Sequence, residues 1–397
     1  MLDILAGKQI PVFLLTGFLG AGKTTLLNRL LDSGEISDTA ILVNELADLG
    51  IDHLLIRQVN EHLVLLNAGC VCCSIREDLL QALRELFVDR LRGDATPFER
   101  VVIETSGLAD PVPVVHTLLT DPFLRERYRL GGTITTIDAS QSLAALCRHP
   151  EGLRQAAIAD RFVVTKPDLA DSAQLELLGA ELAALNPDAA IGCNSEADIV
   201  ELADFLKSGR QPAEGGAAGL RRAETSVATP PRAGADDTGD DGAAETAGSR
   251  ASPGAHTGIV RSFVLRRVDP IRWDDFVAWI QQLLAHTPEG ILRIKGIVDI
   301  EGEALPVVVQ GVRHVFYPTA SLPGWPAGPR QSRLVLILEN PCGLSAGALL
   351  EATLPPSGAV RWTIDAAASK APARHRIGDL GNIANTARHR RVGTRPE

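Results

Sequence analysis

The chain carries a glycine-rich motif near its start, Gly17-Phe18-Leu19-Gly20-Ala21-Gly22-Lys23-Thr24-Thr25. The stretch fits the pattern Gly-x-x-x-x-Gly-Lys-Thr, and it lies between an apolar run at residues 10–15 and a helix-like run at residues 26–31. A strand, a glycine-rich loop and a helix in this order can cradle a phosphate. Glycine lets backbone N–H groups approach the anion closely, and the helix N-terminus adds partial positive charge. A glycine-rich turn with an exposed lysine is the plainer interpretation, but the pattern rarely coincides with this strand–helix setting by chance.

We therefore expect this loop to bind a nucleoside triphosphate. The Lys23 ammonium would reach the β- and γ-phosphates, and the Thr24 hydroxyl would bind Mg²⁺. The residues predicted to contact the nucleotide here are Gly17, Gly20, Ala21, Gly22, Lys23, Thr24 and Thr25.

Length and charge narrow the class of protein. A chain of 397 residues is too long for one typical core, so two domains are expected. The net charge of −10 argues against a nucleic-acid partner, because phosphate backbones are bound by clustered positive charge. There is no apolar run of about 18 residues and no charged-then-apolar start, so we expect a cytoplasmic protein without a membrane partner.

The first half of the chain alternates strand-like and helical patterns. Apolar runs fall at residues 11–15, 40–43, 63–66, 100–104, 133–137 and 162–165. This alternation predicts an α/β domain over residues 1–208, with a mostly parallel sheet covered by helices on both faces. In such sheets ligands bind at the carboxyl ends of the strands, and the motifs described below all fall at such ends.

Three further regions follow the first domain. Residues 209–256 contain only two large aliphatic side chains, Leu220 and Val227, so they are predicted to be a disordered linker; a partner-binding segment that folds on contact is the alternative. Residues 257–355 carry strand-like runs and an amphipathic helix without regular alternation, which favours a smaller α+β domain. Residues 356–397 are predicted to form a basic, flexible tail.

Two acidic positions follow strands near the phosphate loop. Glu45 comes after the strand at residues 40–43, where a loop can sense the γ-phosphate through Mg²⁺. Glu104 ends the strand in VVIETSG at residues 101–107, and it would polarise the attacking water or hold a Mg²⁺-bound water. The Gly107 N–H could contact the γ-phosphate. A solvated acidic loop and a helix-capping carboxylate are the plainer interpretations of these two acids.

The sequence TKPD at residues 165–168 resembles the Asn-Lys-x-Asp signature of guanine binding, with Thr165 in place of asparagine. The Asp168 carboxylate can accept hydrogen bonds from N1–H and the 2-amino group of guanine, and the Lys166 stem can pack on the base. Adenine lacks both donors and would leave the carboxylate unpaired, so GTP is predicted over ATP.

Half of the six cysteines lie in one loop, at Cys70, Cys72 and Cys73, directly after the strand at residues 63–66. In a reducing compartment such clustering indicates metal binding or redox chemistry rather than a disulfide framework. Three thiolates suit zinc first, and cobalt or iron according to supply. They leave a fourth position open, so the ion can be exchangeable. A redox dithiol is the alternative.

With these motifs together, the chain resembles the CobW-type family of P-loop GTPases. The resemblance rests on GFLGAGKTTLLNRLL at residues 17–31, NELADLGID at 44–52, LNAGCVCC at 66–73, VVIETSGLADP at 101–111 and TKPD at 165–168. In the second domain it rests on LRIKGIV at residues 292–298, VVVQGVRHVF at 307–316 and SRLVLI at 332–337.

The resemblance implies a metallochaperone. It assigns phosphate and Mg²⁺ to Lys23 and Thr24, the second nucleotide motif to Glu104 and Gly107, and guanine to Asp168. It assigns the transferred metal to Cys70, Cys72 and Cys73. The family's switch usually reads Asn-Glu-Phe-Gly-Glu; here Leu46, Ala47 and Asp48 replace its last three residues, while Glu45 is kept for Mg²⁺ or cargo metal.

The expected function is therefore GTP hydrolysis coupled to delivery of a transition metal ion, zinc first, to a client apo-metalloprotein. Lys23, Glu104 and Glu45 are the predicted catalytic residues, and Thr24 and Glu45 join the cysteines as metal ligands. A P-loop kinase of a small acceptor and a non-catalytic metal sensor are the alternatives, and a homodimer is left open.

Overall fold

The structure, a computed structural model, describes residues 9–44, 63–66, 74–93, 97–146, 149–208, 260–287, 290–339, 360 and 362–364. Glu45, Cys70, Cys72, Cys73 and the predicted linker at 209–256 lie outside the described residues.

The first domain is built on a parallel sheet. Its described strands are β1 (Ile10–Gly17), β2 (Thr39–Asn44), β3 (Leu63–Leu66), β4 (Arg100–Glu104), β5 (Tyr128–Asp138), β6 (Arg161–Thr165) and β7 (Ala190–Cys193). They lie in the order β3-β2-β4-β1-β5-β6-β7, and each neighbouring pair is parallel. The predicted α/β class with a mostly parallel sheet is confirmed. The six predicted strands are present, and β7 is an addition that its short run with a glycine did not reveal.

Helices cover both faces of this sheet. They are α1 (Lys23–Asp32), α2 (Ser74–Arg92), α3 (Val112–Thr120), α4 (Pro122–Arg127), α5 (Leu143–Leu146), α6 (Pro150–Ala157), α7 (Ser172–Leu185) and α8 (Glu196–Ser208). Alternate residues of β1 separate the two layers: Val12 and Leu14 pack with α2 and α3, whereas Phe13 and Leu15 pack with α1 and α8. This alternation follows from the period of two along a strand.

The second domain is an antiparallel sheet with one described long helix. Its strands are β8 (Val260–Arg267), β9 (Ile291–Val298), β10 (Val307–Val312), β11 (Val315–Phe316), β12 (Ala320–Ser321), β13 (Ser332–Glu339) and β14 (Thr363–Ile364). The order is β11-β10-β9-β13-β8-β14, with β12 beside β10. Helix α9 (Trp273–His286) packs on one face through Phe276, Trp279 and Leu283, so the predicted α+β class is confirmed.

The last described residues extend this sheet. β14 pairs with β8, and Trp362 lies against Trp279 with ring centroids 5.1 Å apart. These residues belong to the stretch 356–397 for which a basic tail is predicted, and here they add an edge strand. The rest of that stretch lies outside the described residues.

The two domains share a core. Val264, Leu292 and Ile337 of the antiparallel sheet pack in one apolar cluster with Leu182 of α7 and Ala156 of α6. Across the interface, Arg293 and Lys295 of β9 pair with Asp160 and Asp188 of the first domain, and all four side chains are buried. The second domain is therefore docked through apolar packing and paired buried charges.

Within the described ranges, no helix is both long enough and apolar enough to span a membrane.

Candidate functional site

The loop between β1 and α1 is a tight turn that ends in a left-handed residue. Gly22 has φ 79° and ψ 26° and lies directly before the first residue of α1, Lys23. A side chain at this φ would be strained, so the pattern needs glycine here. The Ala21 N–H donates to the Phe18 carbonyl at 3.1 Å, which closes the turn. The glycine-rich loop thus runs directly into the start of a helix. Backbone N–H groups of such a loop and of the helix N-terminus together bind anions.

Lys23 and Thr24, the first two residues of α1, lie at the mouth of this loop. The Lys23 Nζ donates to the Gly17 carbonyl at 3.0 Å and to the Phe18 carbonyl at 3.4 Å, so its charge sits over the loop. The Thr24 hydroxyl donates to Glu104 Oε1 at 2.6 Å. The loop lysine, the hydroxyl and the strand-end carboxylate are therefore within one small volume.

The donor set of Thr24 and Glu104 fits Mg²⁺. A hydroxyl and a buried carboxylate 2.6 Å apart are hard oxygen donors, and the loop amides and Lys23 beside them suit the phosphates that Mg²⁺ accompanies. Glu104 is 4% exposed, so its carboxylate is held at one place at the end of β4. Either side chain can bind the ion directly or through a water.

The segment after β4 touches the phosphate loop. A Cβ added to Gly107 would lie 2.7 Å from the Leu19 backbone nitrogen, so only glycine allows this approach. Behind the segment, the buried Gln155 side chain donates to the Gly107 carbonyl at 3.1 Å and to the Ala109 carbonyl at 3.0 Å. Gln155 was not predicted, because a polar residue inside an amphipathic helix carries no signal of its own.

The predicted guanine motif is joined to the phosphate loop by two side chains. The Thr165 hydroxyl donates to the Ala21 carbonyl at 2.9 Å, so a threonine makes a tie to the loop at the position where the signature has asparagine. The Lys166 Nζ donates to the Gly20 carbonyl at 2.7 Å and to Asp138 Oδ2 at 2.6 Å. Lys166 itself has φ 51°, which turns the chain sharply after β6.

Asp138 is a further residue of the site. It ends the apolar strand β5, as Glu104 ends β4, and this shared pattern is the signal that could have identified it. Burial acts to raise the pKa of Asp138, but hydrogen bonds from Lys166 and Ser140 and the Lys166 charge outweigh burial and lower it. The carboxylate is therefore ionised at neutral pH and fixes the Lys166 ammonium.

Asp168 and Thr25 are both exposed. Asp168 lies in the short 3₁₀ turn Pro167–Leu169 after β6, so its carboxylate is accessible to a base. Thr25 lies in the first turn of α1. The nucleotide roles of all these residues remain predictions that the geometry allows.

Strands β2 and β3, which precede the predicted switch and metal-binding residues in the sequence, end at the same edge of the sheet as β4. In the parallel register Val43 lies opposite Glu104, and Asn44 lies opposite Leu66. Glu45 follows Asn44 in sequence, and the segment with Cys70, Cys72 and Cys73 follows Leu66. These four residues themselves lie outside the described part of the chain.

Comparisons with known proteins agree on one family. The family model "CobW/HypB/UreG, nucleotide-binding domain" matches residues 11–192, and "Cobalamin synthesis protein cobW C-terminal domain" matches residues 260–354. The zinc chaperone YjiA of Escherichia coli is 30% identical over 336 residues, which cover 84% of this chain and 96% of YjiA. The zinc chaperone CobW of Pseudomonas aeruginosa is 35% identical over 188 residues, covering 45% of this chain and 44% of that protein.

A solved structure extends the match to the whole architecture. The crystal structure of the Zn(II)-bound YjiA GTPase from E. coli superposes with a TM-score of 0.60 at 26% identity, covering 89% of this chain and 100% of that one. Both domains and the relative matched across them give the same answer: this chain belongs to the CobW family of P-loop GTPases.

Proposed function

We propose that this chain is a GTP-dependent metallochaperone that hydrolyses GTP to deliver zinc to a client metalloprotein. The main support for this function is the register of three neighbouring strands, β3, β2 and β4. Glu104 lies beside Val43, and Asn44 lies beside Leu66, so the strands that precede Glu45 and the cysteines in the sequence end next to the strand that ends at Glu104. We infer that a change at the γ-phosphate is transmitted through these strand ends to the cysteines. The relatives named as zinc chaperones support zinc as the cargo.

The chain's own residues account for nucleotide binding and hydrolysis. The loop amides and Lys23 hold the phosphates, and Asp168 accepts hydrogen bonds from guanine. Thr165 and Lys166 connect the turn that contains Asp168 to the phosphate loop. In this proposal Glu104 orients the attacking water with the assistance of Glu45, and the Gly107 N–H contacts the γ-phosphate. Mg²⁺, when bound at Thr24, supplies charge neutralisation for the phosphates.

The metal step uses the thiolates of Cys70, Cys72 and Cys73. GTP orders the Glu45 segment and brings the cysteines to a binding geometry, and hydrolysis releases the ion to the client. Shifting a segment from mostly one state to mostly the other takes roughly 5.5 kcal/mol of differential binding, which γ-phosphate contacts can supply. We place this reaction in the cytoplasm, where thiols stay reduced. Its partners are GTP and GDP, the metal ion and the client, and self-association as a homodimer is left to measurement.

Metal analysis of the purified protein tests the cargo. With a non-hydrolysable GTP analogue we expect zinc to remain bound after dialysis, and the variant Cys70→Ser/Cys72→Ser/Cys73→Ser to lose it. The matched control is Cys193→Ala. Cys193 is 3% exposed, and burial together with the Asp198 charge raises its pKa to about 12, so its removal should leave zinc binding unchanged. Retention of zinc by the triple variant would contradict the assignment.

Phosphate release tests the reaction class. The protein with GTP and Mg²⁺ alone should release phosphate, and Glu104→Gln should slow this by at least about tenfold, since general-base roles contribute that much or more. Negligible release without an added acceptor would instead favour a kinase.

A further inference from the structure

Gln155 connects the γ-phosphate segment to helix α6. Its side chain is completely buried, and its amide donates to the carbonyls of Gly107 and Ala109 on either side of Leu108. Its own backbone carbonyl accepts a hydrogen bond from the Thr135 hydroxyl at 2.9 Å, which anchors the helix end to β5. The position of α6 therefore sets the position of the Gly107 backbone.

Arg154, the residue before Gln155, connects the same helix to the second domain. Its Nε and Nη2 donate to the two carboxylate oxygens of Glu339, at 3.1 Å each, and Glu339 is the last residue of β13. Its Nη1 donates to Asp110 Oδ2 at 3.1 Å. A two-pronged guanidinium–carboxylate pair fixes direction as well as distance, so Glu339 orients Arg154.

Asp110 completes the connection. Its Oδ1 accepts the N–H of Val112, the first residue of α3, at 2.9 Å, while its Oδ2 faces Arg154 and, at 3.7 Å, Arg313 of the second domain. Asp110 ends the segment that begins at Glu104 and passes through Gly107. The segment is thus held at Gly107 and Ala109 by Gln155 and at Asp110 by arginines of both domains.

These contacts are not what holds the domains together. The interface already has buried apolar packing and the buried pairs of Asp160 with Arg293 and Asp188 with Lys295. By contrast, Arg154 and Asp110 are partly exposed, at 27% and 22% of their side-chain surface. Because these ion pairs are partly exposed, they can rearrange and shift the Gly107 segment without separating the domains.

We propose that Arg154 and Gln155 are positioning residues for GTP hydrolysis, through which Glu339 of the second domain holds the Gly107 segment in its γ-phosphate-binding geometry. The proposal rests on the GTP hydrolysis assigned above. It makes the second domain part of the GTPase site: a partner that displaces Glu339 changes the hydrolysis rate without touching the nucleotide.

The test uses the full-length chain and the variants Glu339→Gln and Gln155→Glu. Glu339→Gln keeps the shape but removes the charge that orients Arg154. Gln155→Glu replaces the donating amide with a carboxylate that repels the Gly107 and Ala109 carbonyls. We expect kcat to fall by about threefold or more for Glu339→Gln and about tenfold or more for Gln155→Glu, with GDP affinity unchanged and affinity for a non-hydrolysable GTP analogue reduced. Because both act on one segment, the double variant should lose less than the sum of the two effects.

The matched control is Glu201→Gln on α8, which removes the carboxylate charge from the exposed 2.8 Å pair with Arg161 of β6, away from the nucleotide segments. Its kcat should equal that of the wild type. The proposal is overturned if Glu339→Gln behaves like this control, or if GDP and the GTP analogue lose affinity equally, which a merely structural role would give. Should Gln155→Glu fail to fold, Glu339→Gln still decides. Absence of hydrolysis in the wild type would count against the proposed function, and that result is distinct from an unchanged Glu339→Gln.

Discussion

A few side chains connect the predicted guanine motif to the phosphate loop. Thr165 and Lys166 bond to the carbonyls of Ala21 and Gly20, and Asp138 in turn holds Lys166. The turn at residues 166–169 and the phosphate loop are therefore tied together by hydrogen bonds. Under the proposed function, a nucleotide bound at the loop finds the turn with Asp168 already placed, which lowers the entropy lost on binding.

We predict that Asp138→Asn weakens guanine nucleotide binding. Without the carboxylate charge, the Lys166 ammonium loses its 2.6 Å partner and the turn carrying Asp168 loosens. Both GTP and GDP should bind about three- to tenfold more weakly, because both carry the base, and that loss corresponds to one weakened charged hydrogen bond. Fluorescence titration with labelled nucleotides measures this.

The control for that change is Glu35→Gln, which removes an exposed carboxylate that pairs with Lys207. Nucleotide affinity should stay at the wild-type value. A selective loss of GTP affinity in Asp138→Asn would show that the carboxylate acts on the γ-phosphate side instead.

Strand β9 joins the two domains. All eight of its residues are buried, and Arg293 and Lys295 project from it to Asp160 and Asp188. Burial acts to lower the pKa of Arg293, but the charge of Asp160, followed by the charges of Tyr317 and Asp188 and by the Asp160 hydrogen bond, raises it. The arginine is therefore charged, and its removal would leave Asp160 buried beside a weaker set of partners.

We predict that Arg293→Met destabilises the fold by about 3–5 kcal/mol, the usual cost of removing one partner of a buried ion pair. Urea denaturation measures the free energy of unfolding. The control Arg261→Met removes an exposed arginine of strand β8 in the same sheet and should cost less than about 0.5 kcal/mol. Equal costs for the two variants would show that the buried pair contributes nothing.

Two of the apolar cores contain residues from both domains. Val260, Val335 and Ile337 of the second domain pack in the same cluster as Leu178 and Leu182 of α7, and Val312 packs with the helices on the other side of the first sheet. Each sheet therefore buries part of its apolar surface against the other domain. We therefore regard docking as part of folding.

A single cooperative unfolding transition is the expected consequence. All four tryptophans, Trp273, Trp279, Trp325 and Trp362, belong to the second half of the chain. Tryptophan fluorescence therefore follows that half, while loss of bound labelled GDP follows the first domain. When both probes are measured at the same nucleotide concentration, the urea midpoint from tryptophan fluorescence should equal the midpoint from loss of labelled GDP. Separate midpoints would contradict a shared core.

Much of this arrangement follows from sequence pattern, and some of it does not. The apolar runs around Phe13, Ile41 and Ile103 locate buried parallel strands, and the loop Gly17–Thr25 locates the phosphate site, because each is encoded by adjacent residues. The order of the strands, the role of Gln155 and the pairing of Arg154 with Glu339 depend on contacts between residues far apart in the chain. No local period or motif encodes such contacts.

If GTP hydrolysis drives metal delivery, the zinc affinity of this chain must depend on the bound nucleotide. Zinc affinity is measured by equilibrium dialysis of the full chain with a non-hydrolysable GTP analogue and, separately, with GDP. We predict that zinc binds at least about tenfold more tightly with the GTP analogue, within the usual range of coupling between two sites. Equal zinc affinity in the two nucleotide states would contradict a switch that delivers metal.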